Sequence, residues 1–180
     1  MAQSFKGGIH PRYAKDLAAS AAIEDVPPPG EAVVPLSQHL GAPAKACVAK
    51  GDHVLVGQRV GEPTGFVSVP VHAPISGTVK DVGLYAHPFG TLQEAVIIES
   101  DSEDRRADLV AAPDPLALTP DEIKQRIKDA GVVGMGGAAF PTHVKLSPPA
   151  GKRIDTAILN GAECEPYLTA DDRLMQEQPD

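Results

Sequence analysis

The sequence is poor in cysteine and in aromatic residues, with two Cys, no Trp, three Tyr and four Phe in 180 residues. Cys47 and Cys164 lie far apart, so they provide neither a disulfide framework nor a CxxC metal motif, which predicts a reducing compartment. No apolar run approaches the roughly 20 residues of a membrane-spanning helix. Residues 1–10 also lack the apolar core of a signal peptide, so we expect no export.

Positive charge is also scarce, because 16 Lys and Arg stand against 24 Asp and Glu, which gives a net charge of −8. This balance argues against a nucleic-acid-binding surface, whose footprint is basic. The six histidines show no HxH, HxxH or HExxH spacing, so the sequence predicts no metal site. No GxSxG motif marks a nucleophile. The acidic excess lies in the second half of the chain, which therefore differs from the first half.

Glycine and proline are abundant, with 17 Gly and 18 Pro and no repeating period, which predicts short strands and many turns. Residues 1–34 show no period and contain the stiff PPPG segment, so we expect an extended arm over the surface of the next domain. Short apolar segments between turns then predict a small β sandwich or barrel, with strands at 54–56, 67–71, 78–82 and 95–99. The polar, charged residues 99–115 predict a solvated linker and a domain boundary.

A helix is predicted to begin after Thr119, which is a good N-cap residue. Pro120 suits the first helical position, and Glu122 completes a capping box. Gly131 is expected to end the helix. The helical period predicts a buried stripe made of Ile123, Ile127 and Ala130.

A glycine-rich loop follows, with glycines at 134, 136 and 137 that let a backbone approach a ligand such as a phosphate. Its GxGxxA spacing matches the dinucleotide fingerprint, but that fingerprint follows a strand and this loop follows a helix. It is not a P-loop, because no GK[ST] follows. A loop that serves only a tight turn between helices remains an alternative. A short helix is predicted through Lys145, a residue that either reaches an anionic ligand or is simply solvated.

Residues 154–159 are predicted to form a buried strand that runs into a loop containing Asn160, Glu163 and Glu165. A loop after the carboxyl end of a strand is a usual place for ligand-binding groups. These side chains suit hydrogen bonds to ribityl or ribose hydroxyls and to the edge of a flavin or nicotinamide ring. An exposed acidic turn is the alternative interpretation.

Long motifs in this chain resemble the N-terminal part of the RnfC subunit of Rnf complexes. They are FKGGIHP (5–11), PLSQHLGAP (35–43), GFVSVPVHAPISGTV (65–79), GVVGMGGAAFPTHVKL (131–146) and NGAECEPYLTADDRLM (160–175). Rnf complexes are membrane-bound, ion-translocating ferredoxin:NAD⁺ oxidoreductases. The resemblance implies a component of such an enzyme, peripheral on the cytoplasmic face of the inner membrane. Its implied partners are the other Rnf subunits, NAD(H) and, indirectly, ferredoxin.

The glycine loop and the acidic loop are also similar to the FMN- and NADH-binding region of the flavoprotein subunit of respiratory complex I. This similarity implies that the flavin phosphate and ring are lined by Gly134, Gly136, Gly137, Ala138, Phe140 and Lys145. It implies that Asn160 and Glu163 hydrogen-bond FMN and that Glu165 is the catalytic residue at the nicotinamide side. Ala162 stands where that family has a carboxylate, which implies the loss of one flavin contact. Cys164 stands where that family has a serine.

The β segment resembles the barrel-sandwich hybrid of biotinyl and lipoyl carriers, on residues 48–58 and 73–79. Carriers need a lysine at the turn between these motifs, and residues 62–72 contain none, so we interpret the module as a docking or scaffolding unit. The implied fold is mixed α+β, with three parts: an arm (1–34), an all-β barrel-sandwich hybrid (35–110) and the first part of an α/β FMN/NAD(H)-binding domain (116–180).

The resemblance implies FMN and NAD(H) as cofactors and places [4Fe–4S] clusters only beyond residue 180, because two cysteines are too few for a four-cysteine cluster. Two alternatives stay open on the sequence. One is an NqrA-type subunit of a sodium-pumping quinone reductase, and the other is a non-catalytic docking module.

Overall fold

The computed structural model describes Ile9, residues 11–108 and residues 114–179. Two compact units form, one from residues 27–153 and the other from the segments before residue 27 and after residue 153. The sequence-based boundary between residues 110 and 116 falls mainly on residues 109–113, which lie outside the described residues, as does most of the FKGGIHP motif.

The first unit is built on two antiparallel sheets formed by seven strands. These strands are β1 (Glu31–Pro35), β2 (Lys45–Ala46), β3 (His53–Val54), β4 (Arg59–Glu62), β5 (Val71–His72), β6 (Gly77–Ala86) and β7 (Leu92–Ser100). One sheet has the order β1-β7-β6-β3 and the other β2-β4-β5. The predicted strands at 78–82 and 95–99 lie within β6 and β7 and are confirmed. The strand predicted at 54–56 is shorter, because β3 ends at Val54.

The core of this unit lies between the sheets and consists of valine, isoleucine, leucine and alanine side chains. Val54, Val60, Val79, Val96 and Ile98 have no exposed surface. Burial of a side chain of this size contributes roughly 1.5–3 kcal/mol relative to leaving it in water. Small β-branched residues therefore fill a barrel that has very few aromatic side chains.

The strand predicted at residues 67–71 is wrong except for Val71, which begins β5. Ser68, Val69 and Val71 are all buried, so the alternation expected of a half-buried strand is absent. Hydrogen bonds to loops and side chains replace the sheet ladder here. The Ser68 hydroxyl donates to the Ala42 carbonyl at 2.9 Å, and the Val69 N–H donates to His39 Nε2 at 3.2 Å.

The polar stretch after β7 is fastened to the barrel, so the linker prediction is wrong for residues 101–107. Asp101 accepts hydrogen bonds from the Ser76 hydroxyl at 2.6 Å and from Arg105 Nη2 at 3.3 Å, and it lies 3.0 Å from His53 Nε2. The Val56 N–H donates to the Arg105 carbonyl at 2.9 Å. The charged side chains of Asp101 and Arg105 therefore take part in a specific hydrogen-bond network with the barrel and are not simply solvated.

This network makes barrel stability depend on pH. The Ser76 hydroxyl, the Glu103 N–H, His53 and Arg105 hold the pKa of Asp101 well below its ordinary value. Because the folded-state pKa is depressed, the stabilisation is present above about pH 4 and is lost as the pH falls below that value. We expect Asp101→Asn to lower the Tm at neutral pH and to flatten the fall in Tm between neutral and acid pH, measured by thermal unfolding. An identical pH profile for the variant would contradict this expectation.

Helix α1 (Pro120–Asp129) begins as predicted, with both hydrogen bonds of the capping box present. The Glu122 N–H donates to Thr119 Oγ1 at 3.3 Å, and the Thr119 N–H donates to Glu122 Oε2 at 2.8 Å. Gly131 ends it with φ = +70°, a left-handed conformation that suits glycine. A 3₁₀ turn (Pro115–Ala117) precedes it and the short helix α2 (Thr142–Lys145) follows, which confirms the helix predicted through Lys145.

The predicted buried stripe of α1 is wrong. Ile123 is 36% exposed, Ala130 is exposed, and Ile127 is only half-buried. The contacts lie at the C-terminal end of the helix instead. Arg59 Nη2 donates to Asp129 Oδ1 at 3.3 Å, and a Cβ atom at Gly131 would lie 2.9 Å from the Pro70 carbonyl oxygen. Helix α1 also contacts α2, and its apolar face stays partly exposed.

The second unit contains a 3₁₀ turn (Lys15–Leu17) and helix α3 (Ala170–Glu177). The strand predicted at residues 154–159 is wrong: this segment is irregular, and Leu159 is 97% exposed. A strand needs a neighbour for its backbone groups, and no strand of the described residues pairs with this segment. In the described part of the chain, no helix has the length and apolar character needed to cross a bilayer.

Candidate functional site

The glycine loop is a closed turn between α1 and α2. The Gly134 N–H donates to the Phe140 carbonyl at 2.9 Å, and Val133 and Pro141 form an isolated antiparallel bridge. These contacts hold the two ends of the loop together. The tip, from residue 135 to residue 138, is exposed to solvent and open to a ligand.

The Lys145 ammonium group lies over this loop. A Cβ atom at Gly134 would collide with Lys145 Nζ, so the missing side chain is what lets the ammonium group approach the backbone. Lys145 is itself exposed, and it brings a positive charge to the open loop. A point charge beside a glycine backbone is an arrangement suited to an anionic ligand.

The two glycines of the loop tip, Gly136 and Gly137, differ in whether the backbone conformation requires glycine. Gly137 has φ = +97°, which disfavours any side chain, and Ala139 also has a positive φ of 46°. Gly136 lacks this constraint: its φ is not in the left-handed region, and a Cβ built there meets nothing within 4 Å. The fold alone therefore requires glycine at 137 but not at 136. Glycine at 136 leaves the backbone of the exposed loop tip accessible to a ligand.

The loop and α2 are tied to the barrel by hydrogen bonds. The Leu40 N–H donates to the Ala138 carbonyl at 3.2 Å, and His143 Nε2 donates to the Phe66 carbonyl at 2.8 Å. The His143 ring is 5% exposed and contacts the Phe66 ring edge-on, with 5.8 Å between the ring centroids. The barrel thus fixes both the tip of the loop and the helix that carries Lys145.

The long-range contacts of the histidines at this junction were not predicted from the sequence. His39 accepts the Val69 N–H, and burial of its imidazole lowers the pKa of His39. A cavity of about 710 Å³ runs beside the loop tip and is lined by His39, His72 and His87 together with apolar side chains of the barrel. No spacing rule could reveal these residues, because their contacts join segments that are distant in sequence.

The acidic loop lies in the second unit and is ordered by its own hydrogen bonds. Asn160 Oδ1 accepts the Ala162 N–H at 3.0 Å, which closes an Asx turn. Glu163 Oε1 accepts the Asp172 N–H at 3.1 Å and so caps the first turn of α3. Glu165 is exposed. Each of the two hydrogen-bonded side chains therefore has a structural role in addition to the ligand contact predicted from the sequence.

The structure thus describes the predicted site residues in two groups. One group belongs to the first unit, where Lys145 lies against the glycine loop: Gly134, Gly136, Gly137, Ala138, Phe140 and Lys145. The other belongs to the second unit: Asn160, Glu163 and Glu165. Their assignments to FMN and nicotinamide stay predictions.

The described residues include no cluster of three or more His, Cys, Asp or Glu side chains arranged to hold a metal ion. Cys47 and Cys164 are both free and exposed. Partial desolvation of the Cys47 thiol and the nearby Glu62 carboxylate raise the pKa of this exposed residue.

Two family models match the chain. Residues 3–103 match the RnfC barrel sandwich hybrid domain, and residues 127–180 match the Nuo51 FMN-binding domain. A barrel-sandwich hybrid joined to part of a flavin-binding domain is therefore the class of protein that the fold and the loop define, which confirms the predicted fold class. The chain belongs to the RnfC family, as the sequence motifs predict.

Curated relatives carry names of the same kind. The chain is 49% identical, over 97% of its length, to the C subunit of the Na⁺-translocating ferredoxin:NAD⁺ oxidoreductase complex of Acetobacterium woodii. It is 47% identical, over its full length, to the C subunit of the proton-translocating ferredoxin:NAD⁺ oxidoreductase complex of Clostridium ljungdahlii. It is 46% identical, over 98%, to the C subunit of the ion-translocating oxidoreductase complex of Serratia proteamaculans. The chain spans 40% of the first two relatives and 25% of the third.

Proposed function

We propose that this chain is the FMN- and NAD(H)-binding part of a peripheral subunit of an Rnf-type complex. The subunit would lie on the cytoplasmic face of the inner membrane. The complex would pass electrons between NAD(H) and ferredoxin through FMN and [4Fe–4S] clusters, coupled to ion translocation. The names of the relatives and the match to an FMN-binding domain support this role. The observation that carries it is the exposed tip of the glycine loop, where the fold does not require glycine at 136 and where Lys145 brings a positive charge.

The first group of residues suits the phosphate end of FMN. The exposed backbone at Gly136 would let phosphate oxygens approach, and Lys145, whose ammonium group lies beside Gly134, would neutralise their charge. Gly137, Ala138 and Phe140 would line the flavin. FMN, when bound, supplies hydride chemistry with NAD(H) and one-electron transfer, while the protein provides binding and orientation.

The second group suits the polar parts of the ligands. Asn160 and Glu163 already have fixed orientations, so binding would cost little side-chain entropy. Asn160 would donate to or accept from flavin hydroxyl and ring groups, and the Glu163 carboxylate would accept from them. Glu165, exposed in the same loop, would act as the catalytic residue at the nicotinamide side. Ala162 offers no carboxylate, so binding relies on the remaining polar groups.

Gly136→Ala tests this proposal with little effect on the fold. A Cβ at Gly136 meets nothing within 4 Å in the protein alone, so the variant should keep the Tm of the wild type. A methyl group in the path of the ligand should raise the Kd for FMN by about tenfold or more, equivalent to about 1.4 kcal/mol. Gly30→Ala is a matched control, since a Cβ there also meets nothing within 4 Å. Titration of flavin fluorescence gives the Kd for FMN of the wild type, Gly136→Ala and Gly30→Ala. Equal Kd values for the three proteins would contradict the proposal.

A docking role for the barrel is a second candidate. The β6–β7 hairpin exposes several large apolar side chains, namely Leu84, Phe89 and Leu92. The turn over residues 62–72 has no lysine for a prosthetic group. Failure of the wild-type protein to bind FMN saturably would favour this non-catalytic role. Between Rnf-type and NqrA-type subunits, the names of the relatives favour the Rnf type.

A further inference from the structure

The N-terminal arm contacts the segment that follows the acidic loop. The Tyr167 N–H donates to the Tyr13 carbonyl at 2.8 Å, and Lys15 Nζ donates to the Leu168 carbonyl at 2.7 Å. These two bonds hold the backbone of the neighbouring residues 167 and 168, immediately after the acidic loop. They join residues about 150 positions apart in the sequence.

A second set of bonds joins the arm to helix α3. Arg173 Nη1 donates to the Ala19 carbonyl at 3.3 Å, and the Ile23 N–H donates to Glu177 Oε2 at 3.0 Å. Arg173 and Glu177 also pair with each other one turn apart, with Arg173 Nε 2.9 Å from Glu177 Oε1. Both side chains are half-buried, and the Arg173 guanidinium holds the pKa of the Glu177 carboxyl below its usual range.

Helix α3 in turn holds the acidic loop, because the Asp172 N–H donates to Glu163 Oε1. The arm therefore fixes both ends of the segment 167–177, and this segment fixes Glu163. The arm lies within residues 3–103, which match the barrel family, whereas residues 160–177 lie within the FMN-binding-domain match. In the structure the two segments share one compact unit. A part of the barrel-family region is thus built into the flavin-domain segment.

We propose that residues 13–23 are a positioning element for the acidic loop, with Lys15 as its central positioning residue. This inference rests on the proposed function, in which that loop binds flavin. Lys15 acts through the Leu168 carbonyl: its hydrogen bond orders the backbone between Glu165 and α3 before a ligand arrives. Pre-ordering lowers the entropy that binding must remove, and so raises affinity.

Lys15→Met removes the donor but keeps most of the side-chain length, and Lys15→Arg keeps a charged donor. Loss of one hydrogen bond with a charged donor should raise the Kd for FMN by about two- to tenfold in Lys15→Met. The visible circular dichroism of bound flavin should also change, and Lys15→Arg should restore both values. Lys80→Met is the matched control. Lys80 is also an exposed lysine, and its ammonium group lies 2.7 Å from the Glu31 carboxylate within the barrel unit. Wild-type Kd and dichroism in Lys15→Met would overturn the proposal.

Hydrogen exchange on the full chain without FMN separates this proposal from the proposed function. Lys15→Met should speed amide exchange across residues 160–177, while Lys80→Met should leave it unchanged. Unchanged exchange in Lys15→Met would overturn the positioning role even if the wild type binds FMN. Faster exchange in a protein that takes up no FMN would support the positioning of the loop and overturn only the flavin function.

Discussion

Replacing Gly77 with alanine should destabilise the barrel by about 3 kcal/mol or more. Gly77 begins β6 and pairs with Ser100 at the end of β7, with φ = +154°. A Cβ atom there would collide with the Glu99 carbonyl oxygen and would lie 2.8 Å from its carbon. These are backbone atoms of the central pair of strands, so no side-chain movement relieves the collision. Such a loss is a large part of the 5–15 kcal/mol typical of a folded domain.

Gly83→Ala is the matched control for this prediction, because Gly83 lies in the same strand. A Cβ at Gly83 has only ordinary contacts, at 3.9 Å from Asp81 and Tyr85. Urea unfolding followed by circular dichroism measures the free energy of unfolding of both variants. Similar values for the two would show that the Gly77 backbone can move away, contrary to the tight pairing of β6 with β7.

Replacing Lys145 with methionine should weaken FMN binding by about ten- to a hundredfold. The variant removes the positive charge over Gly134 while keeping a side chain of similar length. A hydrogen bond with an ionised partner contributes about 1.5–3 kcal/mol, which corresponds to this range of Kd. The Tm should change little, because Lys145 is exposed. Titration of flavin fluorescence quenching gives the Kd.

Lys145→Arg is the control that keeps the charge, and it should lose much less affinity than Lys145→Met. Raising the salt concentration should weaken FMN binding by the wild type more than by Lys145→Met, because salt screens the attraction to phosphate. If Lys145→Met binds FMN as tightly as the wild type at all salt concentrations, then Lys145 is only a solvated residue. A solvated lysine with no ligand contact is the alternative that the sequence left open for Lys145.

Local patterns predicted the parts of the fold that depend on neighbouring residues. The capping box at Thr119 and Glu122 and the end of the helix at Gly131 need contacts only within a few residues. The short apolar segments between turns also predicted strands that lie within β6 and β7. Segment 67–71 failed because its hydrogen bonds go to His39 and Ala42, about 30 residues away, and no local pattern encodes those partners.

Amphipathic patterns failed where burial depends on a partner surface. Ile123 lies on a clear helical stripe, yet α1 attaches through Asp129 and Gly131 at its end and leaves Ile123 exposed. Residues 154–159 have a strand composition but no paired strand among the described residues. A periodic pattern shows which side of an element is apolar, but not what covers that side.

For the candidate site, the sequence motifs predicted the loops and the residue types. They did not predict the hydrogen bonds that hold these loops in place. The position of Lys145 beside Gly134 follows from the short helix, which was predicted. The tie between His143 and Phe66 and the contact of Lys15 with Leu168 were not predicted, because each joins segments more than 70 residues apart. Long-range hydrogen bonds of this kind become visible only in three dimensions.

The flavin stoichiometry of the wild-type protein tests the central claim most directly. The full chain is titrated with FMN, and the bound flavin is measured by its visible absorption after removal of the free ligand. The proposed site predicts saturable binding of one FMN per chain, with weaker binding in Gly136→Ala and unchanged binding in Gly30→Ala. Binding that does not saturate, or that is the same in Gly136→Ala as in the wild type, would contradict a flavin site at the glycine loop.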